Sequence, residues 1–246
     1  MSIALFLICL GVGALIGAIG IGGVLLVPSL NYLAGISVHE AIPACMLSYL
    51  ATGTVGALIY ARHGSIEWRM VGWLCIGAIP AAFLGATSLT FIPAIVVKLI
   101  IAAVMILAGI DALLKLAKPK ASQKSITNVG LIGIGLVTGF GSAITGTGGP
   151  LVLVPLSIFF GLPVLTAVGL SQAVQIPIAI FASIANWNQG NLNVTLGLII
   201  AASMVVGTLV GATLIHRLPV APLKKLVATL LVVVGAGIGM QIIANL

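Results

Sequence analysis

Apolar positions in this chain neither alternate nor follow a one-sided helical stripe. They come in long blocks divided by short polar or glycine-rich interruptions. The blocks fall at approximately 3–20, 23–34, 41–60, 70–88, 95–114, 126–145, 150–160, 167–185, 194–215 and 222–244. A membrane-crossing helix needs about 20 predominantly apolar residues, and eight of the ten blocks reach roughly that length. Barrel strands in a membrane would alternate instead. The pattern predicts an all-α polytopic membrane protein.

Two blocks are too short to span. Segments 23–34 and 150–160 hold 12 and 11 residues, a reach of about 16–18 Å against about 30 Å of hydrocarbon. Each follows a glycine-rich break, "GIGGVLLVP" at Gly20–Pro28 and "TGTGGPLVLVP" at Thr145–Pro155. Proline is favoured at the first position of a helix, so a half-helix is predicted to restart at Gly149–Pro150. Non-helical backbone at membrane depth persists only when buried in protein or lining a wet cavity. The freed amides and the positive dipole end would face whatever occupies the break.

The breaks belong to a duplication. A shift of 126 residues pairs Gly22-Gly23 with Gly148-Gly149, Gly35 with Gly161, Ala41 with Ala167, Gly64 with Gly190, Gly85-Ala86 with Gly211-Ala212, Pro93 with Pro219 and Lys98 with Lys224. The one extended polar stretch, "LLKLAKPKASQKSITN" from Leu113 to Asn128, stands between the halves and has four lysines and no acid. The chain therefore reads as repeat one (1–114), a linker (115–125) and repeat two (126–246), an arrangement typical of secondary transporters.

Charge orients the halves. With the linker on the cytoplasmic side, Arg62 and Arg69 lie there too. If 126–160 enters and returns as a hairpin, Arg217, Lys224 and Lys225 join them, leaving nine positive residues inside and one, Lys98, outside. A single crossing of 126–160 gives six and four. The positive-inside rule prefers the first, hence five segments per repeat, inverted repeats and both termini outside.

Composition removes other classes. The chain is 61% hydrophobic and 5% charged, too little charge to cover a water-facing surface. Its net charge of +7 fits cytoplasmic loops and not nucleic acid, since no basic groove interleaves with aromatics. Cys9, Cys45 and Cys75 lie apart within apolar blocks and predict neither disulfide nor metal site. The N-terminus has no positive region before its apolar run, which predicts no cleaved signal peptide. "GALIG" at Gly13–Gly17 and "GTLVG" at Gly207–Gly211 read as close-packing pairs.

Candidate site residues cluster at the breaks: Gly22 and Gly23 in repeat one, Ser142, Thr145, Thr147, Gly148 and Gly149 in repeat two. On the following segment Ser171, Gln172 and Gln175 share a helix face, and the matching segment offers Ser48, Tyr49 and Thr52. Neutral donors suit an anion in a membrane because they bind oxygens without a permanently buried charge. A hydroxyl bonded to its own helix is the ordinary alternative for each single Ser or Thr. Glu40 is the candidate for proton coupling, with a helix-start acid as the plainer reading. Trp68, Trp73 and Trp187 sit near segment ends, as interfacial anchors do.

"GAIGIGGVLLVPSL" and "GFGSAITGTGGPLVLVPLSIFFG", each opening one repeat, resemble the TauE/SafE family of membrane transporters, called sulfite exporters after some members. The resemblance covers essentially the whole chain. It implies transport of a small sulfur-containing or organic anion, such as sulfite or a sulfonate, across a prokaryotic inner membrane. The first break, "GIGG", departs from the second in lacking hydroxyls. A secondary transporter is thus the leading expectation, with an anion channel second and a membrane-embedded enzyme third. Paired acids, a His–Glu metal motif, an activated Ser–His set and an ATP-binding motif are all missing from the sequence. The expected partners are a small anion, the lipid bilayer and a possible second copy of the chain; no cofactor is expected.

Overall fold

A computed structural model describes residues 3–20, 22–116, 126–160, 162–215 and 220–244 of the chain. Most of the 115–125 linker lies outside the described residues. The elements are α1 (Ile3–Ile19), a 3-10 helix (Gly22–Leu25) leading into α2 (Leu26–Ala34), α3 (Val38–Arg62), α4 (Trp68–Leu89), α5 (Ala94–Leu116), α6 (Asn128–Thr145), α7 (Pro150–Phe159), α8 (Val164–Asn188), α9 (Val194–Leu214) and α10 (Val220–Ala244). No strand occurs among the described residues. Among the described residues five helices, α3, α4, α6, α8 and α9, are long and apolar enough on their own to cross a membrane. The protein is an all-α polytopic membrane protein.

Helix ends follow local chemistry. Ser37, Thr127 and Asn193 cap α3, α6 and α9, each side chain accepting from a backbone amide in the first turn. The short segments are as short as the apolar pattern predicts, with 9 residues in α2 and 10 in α7. Large apolar side chains point outward along the long helices, among them Leu58, Leu84, Val137 and Val210. With no hydrophobic drive in water to oppose it, such a surface is stable against lipid tails. Trp68 and Trp187 are exposed at helix ends, the placement of interfacial anchors.

Small residues set the packing. α1 lies against α9: a Cβ on Gly207 would stand 2.0 Å from the Leu10 carbonyl oxygen, and one on Gly13 would stand 2.3 Å from that of Met204. The two GxxxG motifs therefore face each other, and the backbones touch. Contacts of Gly13 with Met204 and of Gly17 with Thr208 and Ala212 rise together in number, so α1 and α9 run parallel. α4 and α6 pair in the same way, Gly77 against Ile132 and Gly85 against Phe140.

At the centre, α3 and α8 are the most enclosed of the five long helices. They run antiparallel: Tyr49 meets Gln175, Gly56 meets Gln172, and Ser65 meets Gly169. Helix pairing is also symmetric on exchanging the halves. α1 with α9 mirrors α6 with α4, α3 with α9 mirrors α8 with α4, and α5 pairs with α10.

Candidate functional site

The two glycine breaks meet at Tyr49. This side chain is fully buried in α3, and its hydroxyl lies 2.8 Å from the Gly23 carbonyl and 3.0 Å from that of Gly146. One phenolic hydrogen serves two acceptors, so Tyr49 ties the breaks together instead of presenting its hydroxyl to a ligand. Gly23 also abuts the Thr147 carbonyl, where an added Cβ would stand 2.8 Å away. Gly22 instead packs back on α1, against Val12, Leu15 and Ile16.

The breaks differ in backbone. Among the described residues the first has one left-handed position, Gly20 at φ 78°, ahead of the 3-10 helix that starts at Gly22; α2 then begins from Leu25 in right-handed geometry. The second holds three left-handed glycines, Gly146, Gly148 and Gly149, at φ 69°, 77° and 110°. Gly149 caps α7 with Pro150 at its first position, as the Gly-Pro pair predicts. The amides of Gly148 and Gly149 enter no backbone hydrogen bond, so the α7 start keeps donors free.

A hydrogen-by-hydrogen account separates structural from open groups. Thr145 donates to the Gly141 carbonyl at 2.6 Å, and Thr147 lies 3.1 Å from the Thr145 hydroxyl, to which its own hydrogen goes. Ser171 donates to Val168, and Ser48 donates to Cys45 on the side of α3 that faces Met204. Ser48 is therefore not part of the junction. By contrast, Ser142 Oγ and Thr138 Oγ1 are buried without a partner. Both flank Gly149, whose Cβ would lie 3.8 Å from Ser142 Oγ and 3.6 Å from Thr138 Cγ2.

The glutamines behave differently from the sequence expectation of two donors. Gln175 Nε2 donates to the Tyr49 carbonyl at 3.0 Å and to Thr52 Oγ1 at 3.1 Å. Gln172 Nε2 donates to the Ile16 carbonyl at 2.7 Å, bracing the end of α1. Reversing either amide would set oxygen against oxygen, so both orientations are fixed. What remains open on each is Oε1, an acceptor. Gln175 Oε1 faces Gly148, 3.2 Å from where a Cβ would stand.

Glu40 lies apart. It is exposed in the first turn of α3 and accepts from Asn193 Nδ2 at 3.1 Å. Nine residues separate it from Tyr49, about 13 Å of helix. Thr138 was not among the residues singled out from the sequence; its one sequence signal is its place four positions before Ser142 on α6. Among the described residues no group of three or more His, Cys, Asp or Glu could hold a metal.

The junction thus combines free amides at a half-helix start, the open Ser142 hydroxyl and the open Gln175 carboxamide oxygen, with the buried Thr138 beside them, at a discontinuity inside a helical membrane protein. That is the architecture of a membrane protein built around broken helices, of the kind found in transporters. The chain belongs to the family described as Sulfite exporter TauE/SafE, which it matches over residues 5–238. It is similar to the probable membrane transporter protein YjnA of Bacillus subtilis (strain 168), with 27% identity covering 96% of this chain and 98% of that one. A second Bacillus subtilis (strain 168) protein, the probable membrane transporter protein YdhB, is 27% identical over 92% of this chain and 94% of its own. A probable membrane transporter protein of Haemophilus influenzae is 28% identical over 93% and 96%. No solved structure matches the chain.

Proposed function

We propose that the protein is a secondary transporter of a small oxyanion, sulfite or a sulfonate being the substrate class that family membership favours, and that the anion binds at the α6–α7 break. The observation that carries this reading is the set of uncommitted donors around Gly149: the hydroxyl of Ser142 and the amides of Gly148 and Gly149, with the buried Thr138 beside them. Buried polar groups ordinarily find partners, and an anion at the positive end of α7 supplies acceptors for all of them.

Inverted repeats support the same reading. α3 and α8 are equivalent by the 126-residue shift yet antiparallel, and a two-fold axis that reverses a helix lies perpendicular to it. In a membrane such an axis would lie in the bilayer plane and relate repeat one at 1–114 to repeat two at 126–246, and the positive-inside rule favours the 115–125 linker on the cytoplasmic side of a prokaryotic membrane. Rocking one repeat against the other around the junction gives alternating access.

Flux of labelled sulfite and of a labelled sulfonate into liposomes, with and without a pH gradient, tests the proposal. Saturable, stereotyped uptake dependent on Ser142 and Gly149 is expected. Unsaturable flux would make the protein a channel, and absence of flux for every small oxyanion would overturn the reading.

A further inference from the structure

The open atoms at the junction are of two kinds, and the second kind restricts the ligand. We infer that the anion held there is singly charged and keeps a hydrogen of its own, as a hydrogen oxyanion does. This rests on the anion site proposed above and specifies what that site accepts.

Charge limits the ligand first. None of the described cationic side chains stands at the junction. Arg62 and Arg69 are exposed at the α3–α4 turn, and Lys98 lies 5.5 Å over the Tyr32 ring. The titratable side chains nearest the junction among the described residues are Tyr49 and Cys45 on α3 and Cys9 on α1, a phenol and two thiols that ordinarily carry no charge at neutral pH. Glu40, the acid of α3, is exposed at its far end. The cost of desolvating an ion grows with the square of its charge, so a dianion costs about four times as much as a monoanion. Amides and hydroxyls alone offset the smaller cost more readily than the larger.

Hydrogen-bond sense limits it further. Gln175 Oε1 is buried, partnerless and fixed in orientation, because both Nε2 hydrogens are committed to α3. It is aimed at Gly148, beside the donors that would hold the anion. Against a fully deprotonated oxyanion this carbonyl is repulsive. Against an anion that bears an O–H it is a hydrogen-bond acceptor. Gln172 Oε1, one helical turn away, is also open but lies against Gly56 of α3 and away from the break. A site meant for bare oxyanions would turn amide nitrogens inward; here the nitrogens face the protein.

The test uses the full-length protein in detergent and reads thermal stabilisation by four anions. Sulfite and inorganic phosphate each lose a proton near neutral pH, methanesulfonate is a monoanion without one, and sulfate is a dianion throughout. Stabilisation by sulfite, phosphate or both should rise as pH falls through the anion's own dissociation. Sulfate should give none, and methanesulfonate should bind about tenfold more weakly than the protonated anion. Gln175→Met should erase that tenfold preference; the wild-type pH comparison stands by itself if the variant does not fold. A flat pH profile, preference for sulfate, or equal binding of methanesulfonate would overturn the inference while leaving an anion site intact. Failure of all four anions at every pH would instead remove the anion site, and the inference with it.

Discussion

Gly148→Ala and Gly35→Ala form a matched pair that isolates the crowding at the junction. Both glycines are left-handed, at φ 77° and 69°. Placing a Cβ-bearing residue in that region costs about 1–2 kcal/mol. At Gly35 nothing lies within 4 Å of the added carbon, so that strain is the whole cost. At Gly148 the Cβ would stand 2.8 Å from Tyr49 Cδ2, 3.1 Å from Tyr49 Cγ and 3.2 Å from Gln175 Oε1. The tyrosine ring does not recede freely, because its hydroxyl is bonded to the Gly23 and Gly146 carbonyls. Overpacking of this kind adds about 1–3 kcal/mol. Thermal unfolding in mild detergent should therefore show Gly148→Ala losing about twice what Gly35→Ala loses. In the presence of a stabilising anion, Gly35→Ala should gain as much as wild type and Gly148→Ala should gain little. Equal losses at the two positions, or full anion stabilisation of Gly148→Ala, would refute the junction as both a packed contact and a binding site.

Tyr49→Phe removes the shared donor and strands two buried carbonyls, for a loss of about 1–3 kcal/mol; an unchanged midpoint would show that the breaks are not held together through Tyr49. Cysteine labelling from either side of the membrane should find Ser122→Cys cytoplasmic and a cysteine at the C-terminus external, and the same side for both would rule out the inverted arrangement.

Much of the fold was legible because a lipid environment imposes a simple pattern. The apolar blocks match the helices to within a few residues, and the Gly149–Pro150 restart occurs where the Gly-Pro pair places it. The GxxxG motifs were recognisable as packing surfaces, although nothing in their spacing says that α1 chooses α9. The two breaks share a Gly-Gly pair in sequence and differ in structure: among the described residues the first has one left-handed glycine, Gly20, and the second three. Residue type also misleads about hydrogen-bond sense. Gln175 offers both a donor and an acceptor, and only the position of the Tyr49 carbonyl decides which remains. Thr138 escaped notice because a single threonine in a helix ordinarily bonds its own backbone, and this one does not.

The distribution of open polar atoms between the halves gives a last test. Among the described residues, the buried side-chain atoms without partners belong to Thr138, Ser142, Gln172, Gln175, Ser183 and Asn186, and all six lie on α6 or α8. Their counterparts 126 residues earlier are Val12, Ile16, Met46, Tyr49, Ala57 and Tyr60. Four of these are apolar, and the two tyrosine hydroxyls are bonded, Tyr60 to the carbonyls of Gly17 and Ala18. Repeat one is chemically closed where repeat two is open. An unsatisfied buried group costs about 1–3 kcal/mol, so a chain selected for stability alone would close both halves in the same way. Thr138→Val copies the solution already present at Val12 and nearly conserves volume. It should raise the ligand-free thermal midpoint, by an amount equivalent to about 1 kcal/mol, and it should lower transport, the trade expected where a strained or open group serves function. The reciprocal Val12→Thr should lower the midpoint with no gain in flux. A Thr138→Val protein that transports as wild type and is no more stable would show that the open hydroxyl is neither a cost nor a contact, and the case for substrate binding by repeat two would fall with it.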